Sequence, residues 1–174
     1  MLRKKLWLLL ALILTSMLSV VHSAGNATTK EFMLKDMAGK NHTLSQYKGK
    51  WVIVNYWATW CPPCLEEVPD LVALYDSRKN KDVMIIGAVF DYQNAKEVSD
   101  YVNDMLISYP IVLGDDEVMK QIGYTEALPT TYIYNPRGEL VKVKRGLVTK
   151  QYLESFMAHT LPKVGDLKKS ATPN

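Results

Sequence analysis

The sequence predicts an α/β domain built on a mixed β-sheet with flanking helices. Two continuous apolar runs, 51–56 and 82–90, are rich in β-branched and aromatic side chains, as is typical of strands buried on both faces. The helical stretch between them, from Leu65 to about Lys79, favours a parallel pairing of these two strands. Residues 130–134 and 139–145 flank an Asn-Pro-Arg-Gly turn, which indicates an antiparallel hairpin at the edge of the sheet.

Shorter segments complete the predicted fold. Residues 31–34 and 42–44 enclose a turn and predict an N-terminal β-hairpin, and residues 109–113 form a short extended piece. N-cap residues precede three further predicted helices: Asn94 before 95–105, Asp115 before 116–122 and Thr149 before 150–159. Strands and helices thus alternate through the middle of one domain, which we assign to residues 30–160.

Residues 1–23 are typical of an export signal or a membrane anchor. Three basic residues, Arg3 to Lys5, precede an apolar run at 6–21 that is shorter than the roughly 20 residues of a comfortable bilayer span. Cleavage after Ser23 is favoured over an uncleaved anchor. Either way, we expect a periplasmic or otherwise extracytoplasmic domain, tethered to the inner membrane where the segment is retained. Residues 24–29 are expected to be a linker, and residues 161–174 a polar tail.

The composition fits a globular domain without a charged binding face. Hydrophobic residues make up 48% of the chain, which is enough for a core. Residues 1–23 hold three of the 21 basic residues and none of the 18 acidic ones, so the remainder carries 18 of each and no net charge. This balance argues against a nucleic-acid partner, and any membrane contact is expected only through the N-terminal segment.

Both cysteines of the chain, Cys61 and Cys64, fall between the first buried strand and the helix that follows. Structural zinc needs four ligands, but there is no second cysteine pair and the three histidines are isolated. Covalent haem attachment requires a histidine directly after the second cysteine, where this chain has Leu65. A purely structural disulfide would close a very short loop and contribute only roughly 2 kcal/mol. A redox-active pair without a metal or cofactor is therefore favoured.

The redox interpretation gives each cysteine a role. A helix that begins near Cys61 directs backbone N–H groups and the positive end of its dipole toward that sulfur, which favours the attacking thiolate. Cys64 lies one turn inside the helix and is expected to be more buried. That position suits the thiol that resolves a mixed disulfide.

Glu67 is the second informative residue. Helical spacing places Cys64, Glu67 and Leu71 on one apolar face, whereas Glu66 lies on a more polar side. A buried carboxyl beside the inner thiol would have a raised pKa and move protons to or from Cys64. In the alternative interpretation, the Glu67 side chain reaches solvent as an ordinary surface charge.

A third element, Leu128-Pro129-Thr130, leads from a loop into a predicted strand. Pro129 is either an ordinary strand-opening proline or a cis proline. Only about 5% of X-Pro bonds in folded proteins are cis, so the sequence alone barely supports the cis form.

Together these elements resemble the thioredoxin superfamily, and closely the exported thiol-disulfide oxidoreductases of the TlpA/ResA type. The matching stretches are Asn55 to Pro69, Tyr109-Pro110-Ile111 and Leu128 to Gly138. The resemblance implies a thioredoxin-like fold with an N-terminal hairpin and a central helix–strand insert at about 92–122. It also implies that Pro129 is cis and faces the cysteines, and that Glu67 replaces the buried Asp that many thioredoxins carry where this chain has Asn55.

The resemblance implies a protein disulfide reductase outside the cytoplasm, acting in cytochrome c maturation or thiol repair, with a membrane thiol carrier as electron donor. Cys61, Cys64 and Glu67 would be catalytic, and the two cysteines would form the disulfide. The expected substrate-binding residues are Trp57, Trp60, Pro62, Leu128, Pro129 and Thr130. Two alternatives stay open: a disulfide-forming oxidase, and a thiolate-based copper chaperone aided by Met84 or His42.

Overall fold

A mixed five-stranded sheet lies at the centre of the computed structural model, which describes residues 31–160. The predicted leader at 1–23, the linker at 24–29 and the tail at 161–174 lie outside the described residues. Within the described range, no helix combines the length and apolar character needed to cross a membrane.

Within residues 31–160, seven strands and four α-helices follow one another in nearly the predicted order. They are β1 (Met33–Lys35), β2 (Asn41–Thr43), β3 (Trp51–Trp57), α1 (Pro62–Arg78), β4 (Val83–Val89), α2 (Ala95–Asp104), β5 (Ile111–Leu113), α3 (Asp116–Ile122), β6 (Thr130–Tyr134), β7 (Leu140–Arg145) and α4 (Lys150–Thr160). A single 3-10 turn, Ser45–Tyr47, connects β2 to β3.

The strand order in the sheet is β5-β4-β3-β6-β7. β3 pairs in parallel with β4, and β4 with β5, whereas β6 runs antiparallel to β3 and β7 antiparallel to β6. The predicted parallel centre and antiparallel C-terminal hairpin are therefore confirmed. β1 and β2 form the predicted N-terminal hairpin as a separate two-stranded sheet, attached to β5 by a bridge between Asp36 and Val112.

The β3 strand is buried over its whole length because both faces of the sheet are covered. Ile53 and Trp57 pack on the face that holds α1 and α4, and Val52 and Tyr56 pack on the face that holds the N-terminal hairpin and α3. Burial of each large apolar side chain contributes about 1.5–3 kcal/mol, so this strand anchors both halves of the core. The two-sided cover explains the continuous apolar run in the sequence.

One boundary differs from the prediction in a way that matters for the site. Helix α1 begins at Pro62 instead of Leu65. Proline suits the first helical turn, because its missing N–H has no partner there and its fixed φ is already helical. The earlier start makes Cys61 the residue that caps the helix.

Candidate active site

The cysteine pair lies at the junction of β3 and α1. Cys61 is the N-cap residue of α1, in an extended conformation, and its carbonyl accepts hydrogen bonds from the Cys64 and Leu65 N–H groups at 3.0 and 3.2 Å. The two cysteines form a disulfide with a Cα–Cα distance of 5.3 Å. Cys61 is 4% exposed and Cys64 is fully buried, so Cys61 is the outer of the two, and the order of attack stays a prediction.

Glu67 lies one turn after Cys64 and is only 1% exposed. Both carboxylate oxygens accept hydrogen bonds: Oε1 from the Asn55 side-chain amide at 2.7 Å, and Oε2 from the Val148 N–H at 2.9 Å. The buried interpretation of Glu67 is therefore confirmed, and the surface-charge alternative is wrong. The local reason is the i, i+3 spacing, which gives Glu67 the same helix face as Cys64.

Burial raises the pKa of Glu67 from 4.5 to about 7. The two hydrogen bonds and the positive charge of Lys144 act in the opposite direction and limit the rise. A carboxyl that titrates near neutral pH can both accept and return a proton, which is the requirement for a general acid–base group. Beside a buried thiol, this chemistry fits proton exchange with Cys64.

Asn55 connects this carboxyl to the sheet. The same Nδ2 group that donates to Glu67 also donates to the Thr131 hydroxyl on β6 at 3.1 Å. Asn55 itself is buried and lies on β3, six residues before Cys61. The amide thus holds the carboxyl in one position without adding a second acid.

The Leu128–Pro129 peptide bond is cis, as the resemblance implied. Pro129 is buried, and its carbonyl accepts a hydrogen bond from the Gly146 N–H at 2.8 Å. Leu128 is half-buried and packs against the apolar cluster that contains both cysteines. The role of this loop in substrate binding stays a prediction.

Two of the predicted substrate-binding residues, Trp57 and Thr130, have buried side chains. Trp57 is 1% exposed, because its position on β3 directs it into the core, where its ring packs 5.4 Å from that of Tyr101. Thr130 is fully buried, and its hydroxyl donates to the Ala127 carbonyl at 2.7 Å. Both side chains thus pack inside the domain, and the substrate-binding roles of Trp57 and Thr130 remain predictions.

Trp60 and Pro62, by contrast, are exposed on the surface beside Cys61. The Trp60 ring is 59% exposed, yet its Nε1–H donates to the Asp91 carbonyl at 3.0 Å, which fixes the ring against the insert. Large aromatic rings held in this way offer contact area at little entropic cost. The substrate-binding roles of Trp60 and Pro62 remain predictions.

Glu97 is a residue near the site whose contact was missed from the sequence. Its Oε1 accepts from the Thr59 hydroxyl at 2.7 Å, and its Oε2 accepts from the Gln93 N–H at 2.8 Å. Glu97 also lies three residues after Asn94, the N-cap residue of α2, and its N–H donates to Asn94 Oδ1. No local spacing signals the contact with Thr59, because the two residues are 38 positions apart.

The side chains named for the copper alternative lie elsewhere. Met84 packs in the core cluster on the sheet face opposite the cysteines. His42 is fully buried and its two ring nitrogens contact Asp36 and Tyr47. Among residues 31–160, no group of three or more His, Cys, Asp or Glu side chains is arranged to hold a metal ion.

Comparisons with known proteins agree with this geometry. The sequence profile of the AhpC/TSA family matches residues 26–143. The thiol-disulfide oxidoreductase ResA of Bacillus subtilis (strain 168) is 35% identical over 126 residues, which cover 72% of this chain and 70% of the relative.

Solved structures give the same answer for the fold. A thiol:disulfide interchange protein of the thioredoxin family from Chlorobium tepidum superposes with a TM-score of 0.68 at 26% identity, covering 75% of this chain and 92% of its own. StoA from Bacillus subtilis superposes with a TM-score of 0.64 at 29% identity, covering 75% of this chain and 98% of its own. The chain therefore belongs to the AhpC/TSA family of the thioredoxin superfamily and is a thiol-disulfide oxidoreductase of the ResA/StoA type.

Proposed function

We propose that the protein reduces disulfides of other exported proteins outside the cytoplasm, with cytochrome c maturation as the setting. The observation that carries this proposal is the buried Glu67, one turn from Cys64 and with a pKa raised to about 7. A group of this kind supplies the proton transfers that a reductant needs at its inner thiol. The export-like segment at 1–23 supports the location.

The first step is an attack on the substrate disulfide. The Cys61 thiolate, at the N-terminus of α1, forms a bond to one substrate sulfur as the substrate S–S bond breaks. One substrate cysteine leaves as a thiolate and takes a proton from solvent. The product is a mixed disulfide between Cys61 and the other substrate cysteine.

The second step uses Cys64 and Glu67. The Glu67 carboxylate accepts the proton of the Cys64 thiol, and the resulting thiolate attacks the Cys61 sulfur of the mixed disulfide. The Cys61–Cys64 disulfide forms while the second substrate thiolate leaves. The substrate gains two electrons and the enzyme loses two.

Return to the dithiol requires an external reductant. We assign this role to a membrane thiol carrier, because a disulfide outside the cytoplasm has no glutathione pool to reduce it. The carrier's thiolate attacks the Cys61 sulfur and forms a mixed disulfide, while Glu67 returns its proton to the Cys64 sulfur as that sulfur leaves. The carrier's second thiolate then attacks the carrier sulfur of this mixed disulfide and releases Cys61 as a thiolate. The carrier ends as a disulfide, so it loses the two electrons that the enzyme gains.

The open groove beside the cis-proline loop supports a protein substrate. It has a volume of about 510 Å³ and is lined by Tyr124, Thr125, Glu126, Ala127 and Arg145. The exposed Trp60 and Pro62, which flank Cys61 in the sequence, offer a second surface for an extended segment.

Trapping with Cys64→Ala tests the proposal and identifies substrates. The variant forms the mixed disulfide through Cys61 but cannot resolve it, so exported proteins with cysteine pairs should accumulate as complexes that dithiothreitol releases. The matched control is the double variant Cys61→Ser with Cys64→Ala, which should trap nothing. Equal complexes in both variants would contradict the proposal.

The oxidase alternative is decided by the reduction potential of the cysteine pair. A reductant should lie nearer the value of thioredoxin, about −270 mV, than that of a strong disulfide-forming oxidase, about −120 mV. Copper titration of the reduced protein tests the chaperone alternative, and stoichiometric tight binding would favour it over disulfide reduction.

A further inference from the structure

The edge strand β7 carries three basic residues, and one of them faces the buried carboxyl. Directly opposed residues of antiparallel strands present their side chains on the same face of the sheet. Asn55 on β3 is opposite Thr131 on β6, and Thr131 is opposite Lys144 on β7. Lys144 therefore belongs to a row that crosses the sheet on the face covered by α1.

This row leads to Glu67. The Asn55 amide bonds both the Thr131 hydroxyl, at 3.1 Å, and Glu67 Oε1, at 2.7 Å. The chain then turns after β7, and the Val148 N–H, four residues beyond Lys144, donates to Glu67 Oε2 at 2.9 Å. The turn that follows Lys144 therefore reaches the Glu67 carboxyl.

The ammonium group of Lys144 is held near this turn. The side chain is half-buried, and Nζ donates to the Arg145 carbonyl at 2.7 Å. A Cβ atom built on Gly146 would lie 3.7 Å from the same Nζ. The N–H of Gly146 donates to the Pro129 carbonyl. A tethered cation at this place keeps its charge close to the Glu67 side of the sheet.

The groups around Glu67 differ in their effect on the ionisation of its carboxyl. Asn55 and the Val148 N–H are neutral donors, and Cys64 does not titrate while it is in the disulfide. Tyr109, from the segment before β5, is a buried phenol whose own pKa is raised by burial and by Glu67. Lys144 adds a full positive charge, which favours the ionised carboxylate.

We propose that Lys144 is a positioning residue that keeps the buried Glu67 carboxyl in its ionised, proton-accepting form near neutral pH. The consequence for catalysis rests on the proposed function, since it matters only where Glu67 takes the proton of Cys64. The effect of the Lys144 charge on the ionisation of Glu67 does not depend on the proposed function and is measured separately.

Carbon-detected NMR of the oxidised, full-length protein labelled in its glutamate carboxyls tests the electrostatic part. Lys144→Met should raise the titration midpoint of Glu67 by about half a pH unit, because the variant removes the charge and keeps the length of the side chain. Lys144→Arg should restore the original midpoint.

Lys142→Met is the matched control. Lys142 is exposed on the same face of β7, two residues and about 7 Å farther from the turn. It should leave the Glu67 midpoint unchanged to within about 0.1 pH unit. An unchanged midpoint in Lys144→Met, or equal shifts in both variants, would overturn the proposal.

The pH profile of disulfide reduction then tests the catalytic consequence. In Lys144→Met, the pH midpoint of the rise in rate toward alkaline pH should increase by the same shift, about 0.5 pH unit. In Glu67→Gln, this rise should be lost. A normal rise in Glu67→Gln would contradict the proposed role of Glu67 in catalysis. The NMR titration would still show whether Lys144 affects the ionisation of Glu67. Failure of the Lys144 proposal and failure of the proposed function are therefore distinguishable.

Discussion

Two glutamates hold the segments on either side of the cysteine pair, and their environments are opposite. Glu67, on α1, is buried and its pKa is raised to about 7 by burial. Glu97, at the start of α2, has a lowered pKa, first because of the Thr59 hydroxyl and then because of the Gln93 N–H. The same residue type thus has a raised pKa where water is excluded and a lowered pKa where hydrogen-bond donors stabilise its charge near solvent.

The largest expected difference between the two glutamates is in the pH dependence of stability. Between its unfolded pKa of 4.5 and its folded pKa of about 7, Glu67 binds more protons in the folded state than in the unfolded state. Stability therefore decreases as pH rises through this window, by about 3 kcal/mol in total. Glu67→Gln should remove this decrease, which urea denaturation between about pH 5 and pH 8 measures.

Glu97→Gln is the control for that measurement. Because the pKa of Glu97 is lowered below 4.5, its titration lies outside the window and the variant should keep the decrease seen in the natural sequence. Parallel pH curves for the natural sequence and Glu67→Gln would contradict the burial argument.

The second effect is on the rate of disulfide reduction. Glu67→Gln should slow the reaction about 100-fold at neutral pH, because the inner thiol loses its proton acceptor. Glu66→Gln removes a carboxyl from the next residue, which is exposed, and should change the rate by less than about twofold. Stopped-flow measurement of both variants compares them, and a similar rate for the two would exclude proton transfer by Glu67.

A smaller effect is expected at Glu97. Thr59→Val removes the hydroxyl that donates to Glu97 Oε1 and should lower the rate about threefold, with the pH midpoint of the reaction unchanged. Thr59→Ser retains the donor and should behave as the natural sequence. A shift of the pH midpoint in Thr59→Val would mean that Glu97 also takes part in proton transfer.

The smallest effect is expected at Trp60. Trp60→Phe keeps an aromatic ring but loses the Nε1–H that bonds the Asp91 carbonyl. The KM for a protein substrate should rise about twofold while kcat stays constant, since the role predicted for the ring is substrate binding and not chemistry. A change in kcat alone would instead indicate that the ring positions Cys61.

The contrast between the two glutamates also shows what the sequence can predict. Glu67 was found because its distance from Cys64, three residues along one helix, fixes the face it shares. The order of strands and helices along the chain could be predicted for the same reason, since apolar runs and turn residues are local signals. These features need no knowledge of how distant segments meet.

Contacts between distant segments escaped prediction. The bonds from Thr59 to Glu97 and from Val148 to Glu67 join residues 38 and 81 positions apart, and both need the finished sheet to bring them together. The burial of Trp57 was not predicted, because a strand buried on both faces has no alternating pattern to show which way each side chain points. The hydrogen bond from Thr130 to the Ala127 carbonyl was not predicted, because it depends on the loop conformation.

The most direct test of the account is the titration of the two carboxyls in the oxidised, full-length protein, followed by NMR of labelled glutamate. Glu67 should titrate near pH 7, and Glu97 below its ordinary value of 4.5. A midpoint for Glu67 at or below 4.5 would contradict the claim that burial turns this residue into the proton carrier of Cys64.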